Sequence, residues 1–418
     1  MMFTLGVILF ALGIGISIAI HEYGHLAMAK AFGMKVRRYY IGFGPKIFAF
    51  KRGETEYGLK AIPAGGFCDI AGMTALDELE PDEHDRAMYK QATWKRLLVM
   101  LGGPISHAII GLTLVFILAL GWGLPKLAFN DAVVGETTCV APTQAPPEQD
   151  NGRWVAGELA PCGGGGPAEA AGIEPGDLIV AVNGDRIRNF GEVVQRVQAT
   201  DGTAVLTVER DGETREIPVA VQPVERYVIG SAGAEPELAT VGAIGVAQDL
   251  ETRAEASEIR QYGPLGAVPA TFVFTGELTV QTWEALLRFP ERLPAVARSI
   301  MGEDRDPDTP ISVVGASRLG GEVVDMGLWQ VFILLLAVLN LFVGLFNLLP
   351  LLPLDGGHMA VTIYEAIRNR LRRLMGKPNG PPVDYTKLMP ITFVVMVIGA
   401  GIMLLTITAD IVNPITFR

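Results

Sequence analysis

The sequence predicts a polytopic α-helical membrane protein: four transmembrane helices, a membrane-associated β-hairpin, and a soluble α+β segment between the second and third spans. Three observations predict it. Of 418 residues, 50% are hydrophobic and only 19% are charged, against about 25% charged in ordinary soluble domains. Four apolar stretches, residues 3–20 (running on toward Ala29), 97–120, 329–349 and 391–407, have the length that a crossing helix needs, about 20 residues. Between Gly121 and Gly327 the composition is that of soluble protein. A single soluble globule is excluded.

Charge orients the spans. The net charge is −11, yet residues 30–96 carry 12 Lys/Arg and residues 356–387 carry 6, while residues 121–328 carry 15 against 31 Asp/Glu. Short basic loops face the cytoplasm, and long segments count for little in this rule. Residues 30–96 and 356–388 are therefore expected inside. Met1, the segment 121–328 and Arg418 are expected outside. A role in nucleic-acid binding has no basic patch to rest on.

The first span (1–29) has no charge from Met1 to Ile20 and no small-x-small cleavage site before His21. It reads as a retained helix rather than a signal peptide. In the loop 30–96, residues 47–50 and 56–62 are strand-like and flank Lys51-Arg52-Gly53-Glu54, a hairpin signal. Gly42-Phe43-Gly44-Pro45 and Pro63-Ala64-Gly65-Gly66-Phe67 surround it. Such apolar, glycine-rich backbone beside a span predicts a segment that dips into the membrane where protein or water satisfies its polar groups.

After the second span (97–120) come a linker rich in Pro, Gln and acid (141–152) and the run Gly163–Gly166. Cys139 and Cys162 lie in this outside segment, compatible with a disulfide; two free thiols are the alternative. Cys68 lies inside. No histidine lies between Gly121 and Leu328, so neither outside cysteine has a base to activate it. A module begins near Trp154. It has a turn-entry segment (168–172), a strand (177–183), the turn Asn183-Gly184, an amphipathic helix (190–199), and strands 204–210 and 216–221 joined by Asp211-Gly212. Pro167-Ala168-Glu169-Ala170-Ala171-Gly172-Ile173, Pro175-Gly176-Asp177-Leu178-Ile179 and Val182-Asn183-Gly184 resemble a PDZ domain of the bacterial protease type, assigned to 121–230 with its linker. In 231–328, residues 241–246 read as one strand. Residues 282–300 read as an amphipathic helix broken at Pro290 and Pro294, lying on the outer membrane face or packed on the module. The third span is drawn over 329–355, a cytoplasmic loop over 356–388 and the fourth span over 389–409.

Chemistry concentrates at two places. The first span ends in His21-Glu22-Tyr23-Gly24-His25. Histidines four apart stand on one helix face and can share a metal ion, with the glutamate placed to take a proton from its water. Ionisable residues inside an apolar span are costly and functional by default. A catalytic tetrahedral zinc needs a third protein ligand. Asn347-Leu348-Leu349-Pro350-Leu351-Leu352-Pro353-Leu354-Asp355-Gly356-Gly357-His358 supplies Asp355 as the best choice and His358 as its rival. His21 lies about 30 Å along a helix from Met1, near the cytoplasmic edge of the hydrocarbon. The third span delivers Asp355 to the same edge.

These motifs resemble the site-2 protease (M50) family: an HExxH in the first span, a PDZ-like module, and Asn-x-x-Pro…Leu-Asp-Gly-Gly in a later span. The span order resembles the bacterial RseP-type branch, and the likeness extends to Tyr57-Gly58-Leu59-Lys60-Ala61-Ile62-Pro63 and Gly102-Gly103-Pro104. The resemblance implies an intramembrane zinc metalloprotease of the bacterial inner membrane, with Zn2+ held by His21, His25 and Asp355 and water activated by Glu22. It implies substrate positioning by Asn347, Pro350 and Pro353. It also implies that an extended substrate is received at the hairpin and its flanks, including Gly42, Gly44, Gly65 and Gly66. The substrates implied are single-span membrane proteins such as pre-trimmed anti-sigma factors, with the module acting as a size gate or reading a new C-terminus. Three departures stand out: two leucines between Pro350 and Pro353, His107 where Asn or Ala is usual, and only one module. A metal transporter gives no reason for Glu22 between two ligands, and no span repeat is visible. An adaptor using only its module gives no reason for an intact Glu22.

Overall fold

Thirty residues form α1 (Met2–Ala31), apolar enough and, at about 1.5 Å per residue, long enough to cross a bilayer. The computed structural model describes residues 1–125, 132–150, 153–187, 189–228, 236–250, 259–303, 305 and 309–417. The linker end at 151–152 and the boundary drawn at 230/231 lie outside the described residues. The chain forms two units, Met1–Gly121 with Pro264–Arg418, and Trp122–Gly263.

After α1 come β1 (Val36–Arg52), β2 (Thr55–Ile70) and α2 (Thr93–Gly121). The hairpin expected over 47–62 is far longer. Its length comes from a doubled register: Tyr39 faces Cys68 on one side and Tyr57 on the other, and Tyr40 faces Phe67 and Gly58. The two strands thus curl into a small sheet, a non-local arrangement that strand periodicity does not reveal. Its apolar side chains Phe43, Ile47, Phe48, Phe50 and Ile62 stay exposed. At its base, Arg37 grips Asp77 and Glu83, and Thr55 Oγ1 donates to Val36 O at 2.8 Å.

The second unit holds β3 (Leu124–Pro125), β4 (Val134–Thr137), β5 (Glu148–Asp150), β6 (Arg153–Val155), α3 (Pro167–Ala170), β7 (Leu178–Val182), β8 (Asp185–Arg186) and α4 (Phe190–Gln198). It continues with β9 (Thr203–Arg210), β10 (Glu213–Ala220), β11 (Gln222–Val228), β12 (Glu237–Ala243), β13 (Val246–Gln248) and β14 (Ile259–Arg260). A four-stranded sheet runs β10-β9-β7-β8. The alternation of β9 buries Ala204, Leu206 and Val208 against Val193 and Val197 of α4, whose first turn is capped by Asn189 accepting from Glu192 N at 2.9 Å. The single strand expected over 241–246 is two, β12 and β13, separated by Gly245 at φ +74°. Cys139 and Cys162 are joined, with Cα atoms 5.9 Å apart, which excludes the free-thiol alternative.

The first unit resumes with α5 (Pro264–Ile300), α6 (Val313–Asp325), α7 (Trp329–Asn347), α8 (Asp355–Leu374) and α9 (Met389–Val412). The helix expected to break at Pro290 and Pro294 is a continuous 37 residues, packed on α2, α7 and α9. The prolines stand one turn apart, so by the i→i−4 rule they deprive only Leu286 O and Pro290 O of donors. The third span ends at Asn347 and not at Asp355, which instead opens α8. A 20-residue helix therefore occupies most of what reads as a basic loop. Among the described residues four helices, α1, α2, α7 and α9, are long and apolar enough to cross a membrane, and the chain is a membrane protein. The far end of α9 is tied by a buried pair: Arg305 Nη1 lies 2.7 Å from Asp410 Oδ1, and Asp410 Oδ2 accepts from Ser312 N at 2.6 Å.

Candidate metal centre

His21 and His25 lie one helical turn apart on α1 and are 8% and 7% exposed. Their Nε2 atoms are 3.2 Å apart, and each stands 3.4 Å from Asp355 Oδ2. Zinc bonds to nitrogen and oxygen of about 2.0–2.1 Å, spread tetrahedrally, put neighbouring ligand atoms about 3.3 Å apart. The triangle of donor atoms is thus one face of such a tetrahedron, and a fourth position stays open. Asp355 Oδ2 is buried with no hydrogen-bond partner. A desolvated carboxylate oxygen aimed between two imidazole nitrogens calls for a cation.

Local sequence explains each position. On α1 the four-residue spacing stacks both imidazoles on the face toward α2. There Val99, Gly103 and His107 form a matching stripe. His25 Nδ1 lies 2.8 Å from Val99 O, so that nitrogen donates and Nε2 faces the centre. A methyl group on Gly103 would lie 2.6 Å from His21 Nε2 and 2.5 Å from His25 Nε2, so only glycine fits. One turn away, Gly24 packs directly on Gly102 O, letting the two helices approach closely. Asp355 is set by the loop 348–354, which folds onto Gly356 and Gly357. Any side chain on Gly357 would lie 2.6 Å from Leu351 C and Leu352 N.

Glu22 is half-buried beside the ligands. A methyl on Gly66 would stand 3.0 Å from its Cγ, which brings the edge of β2 against the glutamate. Tyr39, whose hydroxyl donates to Ala19 O at 2.7 Å, anchors that edge, and burial pushes its phenol up to about 12. Burial, reinforced by the nearby Glu22 charge, raises the Cys68 thiol well above its ordinary range, so it stays protonated.

The remaining sequence-derived residues are placed as follows. Gly42, Gly44 and Gly65 hold left-handed backbone (φ +87°, +82° and +138°) where the sheet bends. Asn347 closes α7 half-buried, and Pro350 and Pro353 are exposed in the loop leading to Asp355. His358 is drawn away from the ligands: its ring stacks on Tyr385 with centroids 5.6 Å apart. Among the described residues the group able to hold a metal is His21, His25 and Asp355. In the sequence Gly103 stands out only within the run Gly102-Gly103-Pro104, and His107 only as a departure from the family pattern.

Comparison with known proteins gives a consistent answer. The family model described as peptidase family M50 matches residues 9–386. The chain is 50% identical over 416 residues to zinc metalloprotease Rip1 of Mycobacterium bovis, covering 99% of both chains. The same figures hold for Rip1 of Mycobacterium tuberculosis. Zinc metalloprotease Rip1 of Mycolicibacterium smegmatis is 48% identical over 421 residues, covering 100% of this chain and 99% of that one.

Proposed function

The chain belongs to peptidase family M50 and is a zinc metalloprotease, and from that premise we propose that it hydrolyses a peptide bond within or near the transmembrane segment of single-span membrane proteins. The observation that carries the proposal is the buried triangle of His21, His25 and Asp355 beside Glu22, at the end of an apolar span. In this reading those three residues hold zinc. Bound there, zinc supplies Lewis acidity to the scissile carbonyl and lowers the pKa of a coordinated water toward about 7.

The chain's own residues do the rest. Glu22 takes the proton from the attacking water and delivers it to the leaving amide nitrogen. Val99 O holds the His25 tautomer, and Gly103 keeps the space in front of both imidazoles clear. A transmembrane helix hides its carbonyls in its own hydrogen bonds, so the substrate must be extended. The β2 edge at Gly65 and Gly66, with the bend at Gly42 and Gly44, receives that extended segment by main-chain pairing. Asn347, Pro350 and Pro353 line its path to Asp355.

The basic loops 30–96 and 356–388 favour a cytoplasmic side for the site, with both termini and the segment 121–328 outside, in a bacterial inner membrane. The Pro167–Gly184 motifs support a PDZ-like module there that gates substrates by size or reads a C-terminus exposed by earlier trimming. Regulated intramembrane proteolysis of anti-sigma-factor-like proteins is the process this arrangement suits.

The test is zinc content and cleavage, side by side in liposomes, for wild type and Glu22→Gln. A single-span protein with its outer domain removed is the substrate. About one zinc in both proteins, with cleavage only by wild type, is the expected result. Cleavage by Glu22→Gln removes that residue from its role. Undiminished zinc in Asp355→Ala overturns the ligand set.

A further inference from the structure

Three helices meet at the metal centre, and α2 alone supplies no ligand to it. It supplies an imidazole nonetheless. His107 is 2% exposed, and its ring centroid lies 5.0 Å from that of His21, the planes tilted by 45°. Two glycines make room: Gly103 one turn earlier on α2, and Gly344 on α7, where a methyl would come 3.1 Å from His107 Cβ.

The orientation of His107 is fixed from its far side. Its Nδ1 lies 2.9 Å from Asn340 Oδ1. Asn340 is 1% exposed, and its Nδ2 donates to Leu336 O at 2.8 Å. With the amide NH2 committed to that carbonyl, Oδ1 must accept, and His107 Nδ1 must donate. Held at Nδ1 by a buried amide that is itself anchored, the ring cannot turn freely.

The two histidine ligands differ in how they are held. A metal-binding imidazole is ordinarily oriented by a hydrogen bond from its second nitrogen. His25 has one, to Val99 O at 2.8 Å. His21 has none: its Nδ1 is buried without a hydrogen-bond partner. Its ring plane is therefore set by packing between two rings: that of its fellow ligand His25, edge-on with centroids 4.8 Å apart, and that of His107 on α2.

We propose that His107, locked by Asn340, is the positioning residue for His21, a three-helix relay from α7 through α2 to the metal ligand on α1. It replaces by contact what Val99 O does for His25 by hydrogen bonding. The inference rests on the reading of His21, His25 and Asp355 as zinc ligands. It also gives a reason for the histidine at this position, which the family resemblance leaves as a departure.

The test uses the full chain in detergent, with zinc affinity measured against a competing chelator and the visible absorption of the cobalt-substituted protein as a second readout. His107→Ala is expected to weaken zinc binding about tenfold, the usual scale for an outer-shell partner, and to shift the cobalt spectrum. Asn340→Ala and His107→Phe, which keep a ring or most of the packing, are expected to move both readouts the same way by less. The double variant His107→Ala/Asn340→Ala is expected to match His107→Ala, because both act through one ring. In cleavage assays kcat falls and KM holds. If His107→Ala does not fold, Asn340→Ala and His107→Phe carry the test. Zinc affinity and cobalt spectra unchanged in these variants, while His21→Ala loses zinc, overturn the inference alone. Zinc retained by His21→Ala overturns the ligand reading, and this inference with it.

Discussion

Gly66 lies close against Glu22: a methyl on Gly66 would stand 3.0 Å from Glu22 Cγ and 3.1 Å from Tyr40 O, tighter than ordinary contact. The edge of β2 and the glutamate are thereby held in one fixed relation. The Tyr40 carbonyl is backbone of β1 whereas Glu22 Cγ is side chain, so an added methyl is relieved by displacing Glu22 by a few tenths of an ångström. Gly66→Ala is expected to lower kcat about 10- to 100-fold, the scale of a sub-ångström to ångström misplacement of a reacting group. Zinc content should stay at the wild-type level, which separates this variant from ligand substitutions. Full activity in Gly66→Ala would detach the hairpin edge from catalysis.

Gly103 predicts the opposite pattern. A methyl there would lie 2.5–2.6 Å from the Nε2 atoms of both histidines, inside their contact distance. To make room an imidazole must swing away from Asp355 Oδ2, which each faces at 3.4 Å, and His25 must also give up Val99 O. Gly103→Ala is therefore expected to lose zinc as well as activity. Metal analysis of the purified variant decides the point: stoichiometric zinc would mean that the helices can separate there at little cost.

How much of this was legible follows from how local each feature is. His21, Glu22 and His25 were legible because a four-residue spacing fixes a helix face. Asp355 was legible because a carboxylate in an apolar run stands out. The Val99–Gly103–His107 stripe was not, since its meaning lies in a crossing between two helices far apart in sequence. The hairpin's true length was hidden by the doubled pairing of Tyr39 and Tyr40. The helix α8 was hidden by its arginines, which read as a loop because the charge rule weighs side and not conformation. Pro290 and Pro294 misled for a related reason: a proline penalty is local, and packing against α2, α7 and α9 offsets it.

The disulfide yields a prediction for the second unit. Cys139 and Cys162 are 23 residues apart, and closing a loop of that length stabilises the folded state by about 3 kcal/mol in the chain-entropy treatment. The loop is also pinned by Gln144, whose Oε1 accepts from Tyr227 N at 3.1 Å. Reduction is expected to accelerate amide exchange across β4, β11 and β13 in the intact chain, with the four membrane helices unchanged. Cys139→Ser should reproduce the effect and make added reductant silent. Unchanged exchange on reduction would show that the loop is held by its hydrogen bonds alone.

Glu83 makes stability depend on pH. It is 2% exposed, and its hydrogen bonds to Arg37, the largest influence, hold its carboxyl down at about 2 from an ordinary 4.5. A folded value below the unfolded one means that the unfolded chain binds the proton more readily. The contribution of Glu83 is therefore complete above pH 4.5 and is lost as pH falls from 4.5 toward about 2. Thermal midpoints of wild type and Glu83→Gln should differ most at neutral pH and converge over that window. A gap independent of pH would remove the carboxylate from the account.

Arg96 and Glu365 lead back to the metal. They form a buried pair, Nη1 to Oε2 2.8 Å, joining α2 to α8, and the other oxygen of Glu365 accepts from Val383 N at 2.6 Å. Because α8 begins at Asp355, this pair fixes the helix that carries the third proposed ligand. Removing one partner leaves an uncompensated buried charge, at a cost of about 3–5 kcal/mol. Replacing both by apolar residues of similar volume leaves none. Arg96→Ala and Glu365→Ala are each expected to lower the thermal midpoint and to weaken zinc binding. The double variant Arg96→Met/Glu365→Leu should recover most of the midpoint. Its zinc affinity then discriminates: recovery means that α8 needs only to be packed, whereas a persistent deficit means that the ion pair itself sets the angle at which Asp355 enters the site.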